Sequence, residues 1–387
     1  MGKINFGKII LCVFSVVTLL FVGIICALIT SLMFGRYFYG YVVMIVAISL
    51  IIYMVINTFG LVKKKLLNKV SGIFLVICIA TSIGYGITQK VSQSITTVNE
   101  QSVDLNKYNP FSKDTKAVML TGTSTLKISN NLPKLDGATA LYPIYSSFAK
   151  AVYPVKNYNQ NNSEVMCNTT VGAYKNLIDG NVDIIFVARP SQEQLEEAKR
   201  KGLKLKLTPI GKEAFVFFVN TKSNVTGLST KQIQDIYSGQ STNWKEFGGR
   251  NQNIRAFQRP KDSGSQTMLQ KLMAGKSLMV APKIDVISGM DGIISSTANY
   301  KNYKNALGYS FLFYATEMVQ NNQIRLLKVD GVYPSRNTIK SKEYPLSAEF
   351  YAVTAGSTNP NVDNFINWIL GKQGQYLIEK TGYTPLN

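Results

Sequence analysis

The first 99 residues contain no aspartate or glutamate; Glu100 is the first acid in the chain. Residues 1–90 carry only Lys3, Lys8, Arg36, Lys63, Lys64, Lys65, Lys69 and Lys90 as charges, and three apolar runs lie between them, about 9–34, 37–60 and 70–88. A helix needs about 20 apolar residues to cross about 30 Å of hydrocarbon. Each run meets or approaches that length, so residues 1–89 are expected to form three transmembrane helices in contact with membrane lipid. A cleaved signal peptide fits the first run poorly, because its apolar stretch is too long and no A-x-A site follows. Positive loops stay cytoplasmic. Lys3 and Lys8 therefore place the N-terminus inside, and the Lys63–Lys69 cluster places the second loop there too. After three spans the rest of the chain would be extracellular. Arg36 sits among Phe34, Tyr37, Tyr39 and Tyr41, which suits an interfacial aromatic belt.

The remainder has a different chemistry. The 387 residues hold 42 Lys+Arg, 22 Asp+Glu and no histidine, a formal net charge of +20. Mean hydropathy near zero, +0.05, averages an apolar head with a polar, basic body. Without histidine there is no Ser-His-Asp or Cys-His machinery and no imidazole metal site. Neither a cofactor nor a metal is expected. Cys12, Cys26 and Cys78 lie in the spans, leaving Cys167 alone in the body with no partner for an intradomain disulfide.

Residues 90–130 are rich in Ser, Thr, Asn, Gln and Lys and read as a polar extracellular stalk, with Ala117–Leu120 a possible first strand. From 131 to 387, helical and strand patterns alternate. DIIFVA (183–188), AFVFFV (214–219), IRAF (254–257), GYSFLFY (308–314) and AEFYAV (348–353) read as strands. Three S-x-x-Q capping boxes, at Ser191, Ser229 and Ser263, open helices. The pattern predicts an α/β architecture, and about 255 residues is large for one core, so two lobes are expected.

Two segments suit an oxyanion. One is Asp136-Gly-Ala-Thr-Ala140, before the helix expected from Leu141. The other is Arg259-Pro-Lys-Asp-Ser-Gly-Ser265, after IRAF and at a helix start. A helix N-terminus offers unpaired N–H groups and partial positive charge, to which phosphate or sulfate binds. Ser263 and Ser265 add hydroxyls, Gly264 permits close backbone approach, and Arg259 adds a planar donor fork. Taken singly, Ser263 and Thr139 could be no more than helix starts.

The stretches DGATALYPIYSSFAKAV, LIDGNVDIIFVARP, GLSTKQIQDIYSGQSTNWKEFGG, RPKDSGSQTMLQKLM and WILGKQGQYLIEKTGYTPL occur in this order. With them the chain, over about 133–387, resembles the phosphate-binding proteins of phosphate ABC transporters, which have a type II periplasmic-binding-protein fold. The resemblance implies a two-lobed Venus-flytrap domain closing over one dehydrated anion. Lobe 1 would comprise about 131–208 and 310–387, and lobe 2 about 209–309. The family's ligand contacts map to Ala138, Thr139 and Ala140, to Thr170 (Thr169 in a second register), and to Arg259, Ser263, Gly264 and Ser265. In the family's best-known members an aspartate follows the DIIFVA-type strand and accepts a proton from bound phosphate. Here that place is held by Arg189, after Ala188. Arg189 would either contact the anion or pair with a carboxylate, Asp183 and Asp262 being nearest in sequence.

The resemblance implies a membrane-anchored binding protein that captures inorganic phosphate, or a related oxyanion, and delivers it to an ABC transporter permease. The alternative is a membrane sensor using the same domain, because three spans exceed what anchoring needs. Hydrolysis would need a metal cluster or an activated nucleophile, so the chain is not expected to be an enzyme. The scattered cations and an extracellular location do not suit nucleic acid.

Overall fold

The computed structural model describes residues 6–34, 37–94, 103–281, 304–319 and 324–386. The chain divides into two compact units, residues 1–95 and 96–387.

The first unit consists of α1 (Phe6–Phe34), α2 (Tyr37–Phe59) and α3 (Lys64–Ser94). Each contains a stretch long and apolar enough to cross a membrane: Phe6–Ser31, Phe38–Phe59 and Lys64–Ile87. Several hydroxyls within them are satisfied by the carbonyl three or four residues back, as a helix in hydrocarbon would need. Ser15 Oγ donates to Leu11 O and Thr18 Oγ1 to Phe14 O, both at 2.9 Å. The first two helices approach closely at Gly23, where a Cβ would lie 2.7 Å from Ala47 Cβ. Helices α2 and α3 are joined by Tyr53, whose hydroxyl donates to Asn68 Oδ1 at 2.8 Å.

The second unit alternates strands and helices. In chain order they are β1 (Leu135–Gly137), α4 (Tyr142–Val152), α5 (Thr169–Ile178), β2 (Ile184–Val187), α6 (Gln192–Arg200), β3 (Lys206–Asn220), β4 (Gly227–Leu228), α7 (Thr230–Tyr237), β5 (Arg255–Ala256), α8 (Gly264–Leu272), β6 (Ala306–Phe311), β7 (Ile324–Leu326), β8 (Lys328–Val329), α9 (Arg336–Lys340), β9 (Ser347–Thr354), α10 (Val362–Leu370) and α11 (Lys372–Thr381). The main sheet runs β1-β2-β9-β3-β6-β5, with β7 also paired to β3; β4 and β8 form a small parallel pair. Parallel pairs β1–β2 and β5–β6 occupy the two ends of this order.

Strand β3 joins the two halves. Its first part pairs antiparallel with β9, from Lys206↔Thr354 to Ala214↔Ser347. Its second part pairs with β6, Phe215↔Phe311 through Phe218↔Gly308, and then with β7. The register shifts between Pro209 and Gly211, where proline has no N–H to give the ladder. The core beneath β1, β2 and β9 is aromatic: Tyr145 stacks on Phe186 at 5.0 Å, and Phe148 meets Trp368 edge-on at 6.2 Å. Trp244 is buried, its indole N–H donating to Asn305 O.

Two capping boxes form as the sequence predicts. Ser191 and Gln194 bond reciprocally at the start of α6, and Ser229 and Gln232 at the start of α7. The third is half formed: Ser263 Oγ accepts from Gln266 N, but the Gln266 side chain goes elsewhere.

The expected stalk needs correction. Residues 95–102 lie outside the described residues. The part from 103 onward is packed: Val103, Leu105, Tyr108 and Ile128 belong to the core that contains Phe148 and Phe186. No strand forms at Ala117–Leu120. Its Val118 N–H is donated to Ser147 Oγ at 2.9 Å, and Gln373 accepts from Thr125 N and donates to Thr123 O. Side chains of α4 and α11 thus satisfy a backbone that has no ladder. GYSFLFY is also shorter as a strand than expected; β6 ends at Phe311 and Tyr314–Met318 form a π-helical turn.

Candidate functional site

A cavity of about 870 Å³ opens within the second unit. Its walls come from the turn after β1, the start of α5, the loop from Arg259 to Ser265, and Ser310 with Tyr314. Eight of the nine residues expected at an anion site line it: Ala138, Thr139, Ala140, Thr170, Arg259, Ser263, Gly264 and Ser265.

Each is placed by identifiable bonds. After β1, Ala138 N donates to Phe186 O at 2.9 Å, and residues 139–141 form a 3-10 turn with no side-chain cap. The N–H of Ala138 is thereby committed to the sheet. The N–H groups offered at this turn are the later ones, Thr139 and Ala140, since the first donors of a helical turn lack internal partners. The Thr139 hydroxyl is buried with no hydrogen-bond partner among the described residues.

Asp136 holds the start of α5. It is fully buried, and its carboxylate accepts from Gly137 N (2.7 Å), Asn168 N (2.7 Å), Asn168 Nδ2 (2.9 Å) and Asn176 Nδ2 (2.8 Å). Burial raises its pKa, and these donors oppose that shift. Asn168 directs its amide to Asp136 and does not cap its own helix, so α5 begins with no side-chain cap. Thr169 then adopts a left-handed conformation, φ 62°, rare and costly for a β-branched residue. This turn sets Thr170 in place.

Thr170 and α8 meet. A Cβ on Gly264 would stand 3.3 Å from Thr170 Oγ1 and 3.4 Å from Ala188 Cβ, so the absence of a side chain there keeps the two helix starts close. Ser263 is the N-cap of α8; its oxygen accepts, and its O–H remains able to donate. Arg259 is fixed through its backbone: its N–H donates to Gln266 Oε1 at 2.8 Å and to Tyr309 Oη at 2.9 Å. Gln266 is buried and donates to Gln258 Oε1 at 3.2 Å. Gln194 Nε2 donates to Asp262 O at 3.3 Å, and Lys261 pairs with Glu193. Both bonds tie α6 to the Arg259–Ser265 loop.

Arg189 does not line the cavity. Its guanidinium lies 3.9 Å from Glu349 Oε2 and 5.2 Å from the centre of the Tyr351 ring. The reason is register: Val187 pairs with Tyr351, so the next side chains out of β2 lie over β9. The acceptor is Glu349, not Asp183 or Asp262. Asp183 instead accepts from Lys134 N at 2.7 Å.

The residues missed from sequence are those that position others: Asn168, Gln266 and Tyr309. The S-x-x-Q motif drew attention to Gln266, but only as a helix cap. Tyr314 enters the wall because the chain turns after β6. Among the described residues, no group of three or more His, Cys, Asp or Glu side chains could hold a metal. At the cradle the arrangement offers amides, hydroxyls and one guanidinium, which suits binding of an anion.

A sequence profile for the PBP superfamily domain matches residues 130–373. The chain is 23% identical over 262 residues to the phosphate-binding protein PstS of Borreliella burgdorferi, covering 66% of this chain and 90% of that protein. It is 26% identical over 170 residues to PstS of Bacillus subtilis, covering 43% and 53% respectively. Among solved structures, a Clostridium perfringens protein described as a phosphate ABC transporter substrate-binding protein with bound phosphate superposes with a TM-score of 0.51 and 25% identity. That match covers 67% of this chain and all of the other.

Proposed function

The chain belongs to the PBP superfamily, and on that premise we propose that it is a membrane-anchored solute-binding protein for inorganic phosphate or a related oxyanion. The observation that carries this reading is the convergence on one cavity of three donor-bearing segments: the turn at Thr139–Ala140, Thr170 at the uncapped start of α5, and Arg259 with Ser263–Ser265 at the start of α8. Backbone amides and hydroxyls hold the oxygens, and Arg259 supplies the charge-assisted bond. Sequence relatives named for phosphate binding support the ligand.

Further parts of the reading follow from it. The second unit closes as two lobes, about 131–208 with 310–387, and about 209–309, hinged on β3 and its neighbours. Anchored by α1–α3 with the N-terminus in the cytoplasm, the extracellular domain hands its anion to an ABC transporter permease. A sensor role with the same domain is the second reading, favoured by three spans where one would anchor.

Calorimetry on the full chain in detergent, with phosphate, sulfate, molybdate and a phosphonate at acidic, neutral and alkaline pH, tests the binding claim. Saturable binding of phosphate is expected. No heat with any of these anions, in a folded sample, would sink it. Co-purification with a permease as against a kinase separates transport from sensing.

A further inference from the structure

The cavity is larger than an inorganic anion needs. A tetrahedral oxyanion displaces roughly three waters, or about 100 Å³ at about 30 Å³ each. The cavity holds about 870 Å³, within the range of about 300–1,000 Å³ typical of sites for organic ligands. This space does not arise from parted walls at the anion cradle. There the walls already touch: Gly264 abuts Thr170 and Ala188, Lys261 pairs with Glu193, and Gln194 bonds to Asp262 O. Beyond the cradle the cavity wall continues along α5.

One face of α5 forms that wall, with Asn168, Gly172, Lys175, Asn176 and Asp179 at helical spacing. Gly172 carries no side chain, so the path from the cradle toward Lys175 is not blocked by one. Lys175 lies six positions beyond Thr169, about 9 Å along the axis at about 1.5 Å per residue. It makes no ion pair within 4 Å among the described residues. Asn176 gives its amide N–H to Asp136 at 2.8 Å and keeps its carbonyl as an acceptor. Asp179 is an acceptor too; its hydrogen bond from Lys201 lowers its pKa, and the charges of Lys201 and Lys175 add to that shift. One donor and two acceptors beyond a phosphate cradle match hydroxyl groups, each of which donates and accepts.

We propose that this site takes a phosphate monoester of a small polyol: the phosphoryl group sits in the cradle and the hydroxylated chain lies along α5 toward Lys175. Inorganic phosphate occupies the same cradle without filling the groove. The inference rests on the phosphate-binding reading above and deepens it.

The test is competition on the full chain in detergent, using labelled inorganic phosphate with glycerol 3-phosphate as the displacing probe. Glycerol 3-phosphate should displace the label at concentrations within about tenfold of unlabelled phosphate. Lys175→Ala should weaken glycerol 3-phosphate by about fivefold, the size of one lost hydrogen bond, and change inorganic phosphate by less than about twofold. Failure of glycerol 3-phosphate to compete while phosphate binds overturns this inference alone. An equal effect of Lys175→Ala on both ligands overturns the groove assignment. If labelled phosphate itself does not bind, the underlying reading fails first.

Discussion

The carboxamide oxygen of Gln266 accepts the backbone N–H of Arg259 at 2.8 Å. The same oxygen accepts the Tyr309 hydroxyl. A residue placed by sequence to complete a helix cap is thus turned inward. There it fixes the loop that carries the only arginine in the cavity wall among the described residues. Gln266→Ala would leave the buried Tyr309 hydroxyl without the acceptor it donates to and the Arg259 N–H with Tyr309 Oη as its one remaining acceptor. The expected cost is about 1–3 kcal/mol of stability, with anion binding weakened by roughly tenfold. Chemical denaturation and calorimetry on the same variant check both. Unchanged affinity would show that the loop holds its shape without this bond.

Glu213 is a buried carboxylate on β3, near the change of partner from β9 to β6. It accepts from Ala214 N at 2.9 Å and from Phe313 N at 3.4 Å. Burial pushes its pKa from 4.5 up to about 8. Below about 4.5 both native and unfolded states hold the proton. Between about 4.5 and about 8 the native state keeps it and the unfolded chain has released it. The unfolded state then binds fewer protons, so stability falls as pH rises through this window. Glu213→Gln should flatten that fall and raise the melting temperature at the alkaline end, an effect on the order of a few kcal/mol. Melting curves of wild type and variant with the same slope against pH would count against it.

Arg189 stands outside the cavity, against Glu349 and Tyr351. Its side chain is 55% exposed, and an exposed pair contributes about 0–1 kcal/mol. Arg189→Ala should therefore leave phosphate affinity within about twofold, and Arg189→Asp should leave its pH profile unchanged. A tenfold loss in either variant would return this residue to the site.

Much of this was legible in the chain, for physical reasons that differ by region. The three long apolar helices could be read because a stretch able to cross hydrocarbon needs length and excludes charge. The helix starts at Ser191 and Ser229 could be read because capping is local chemistry. So could the strand before Arg189, but not where Arg189 points, because that depends on β9, which lies more than 150 residues on. Residues 103–130 read as a stalk because their buried apolar residues, among them Val103, Leu105, Tyr108, Ala117 and Ile128, are sparse and irregularly spaced, matching neither a helical nor a strand period. The Asp136–Asn168–Thr169 arrangement was equally hidden: nothing local announces that an aspartate in a strand will set the backbone of a helix start 32 residues away.

Membrane topology gives a separate test. With the N-terminus inside, Val155→Cys, at a position 81% exposed, should react with a membrane-impermeant maleimide on intact cells. Lys64→Cys should react only after permeabilisation. The native Cys12, Cys26 and Cys78 lie in the apolar helices and Cys167 is buried. The reverse labelling pattern would invert the proposed orientation.

The central claim is that this cavity holds a tetrahedral oxyanion through Arg259 and the surrounding amides and hydroxyls. The most direct measurement is the phosphate dissociation constant of the full chain and of Arg259→Ala, by calorimetry under one set of conditions. The account predicts saturable binding to the wild type and a loss of about 1.5–3 kcal/mol in the variant, about 10- to 150-fold. Equal affinity in the two proteins would contradict it.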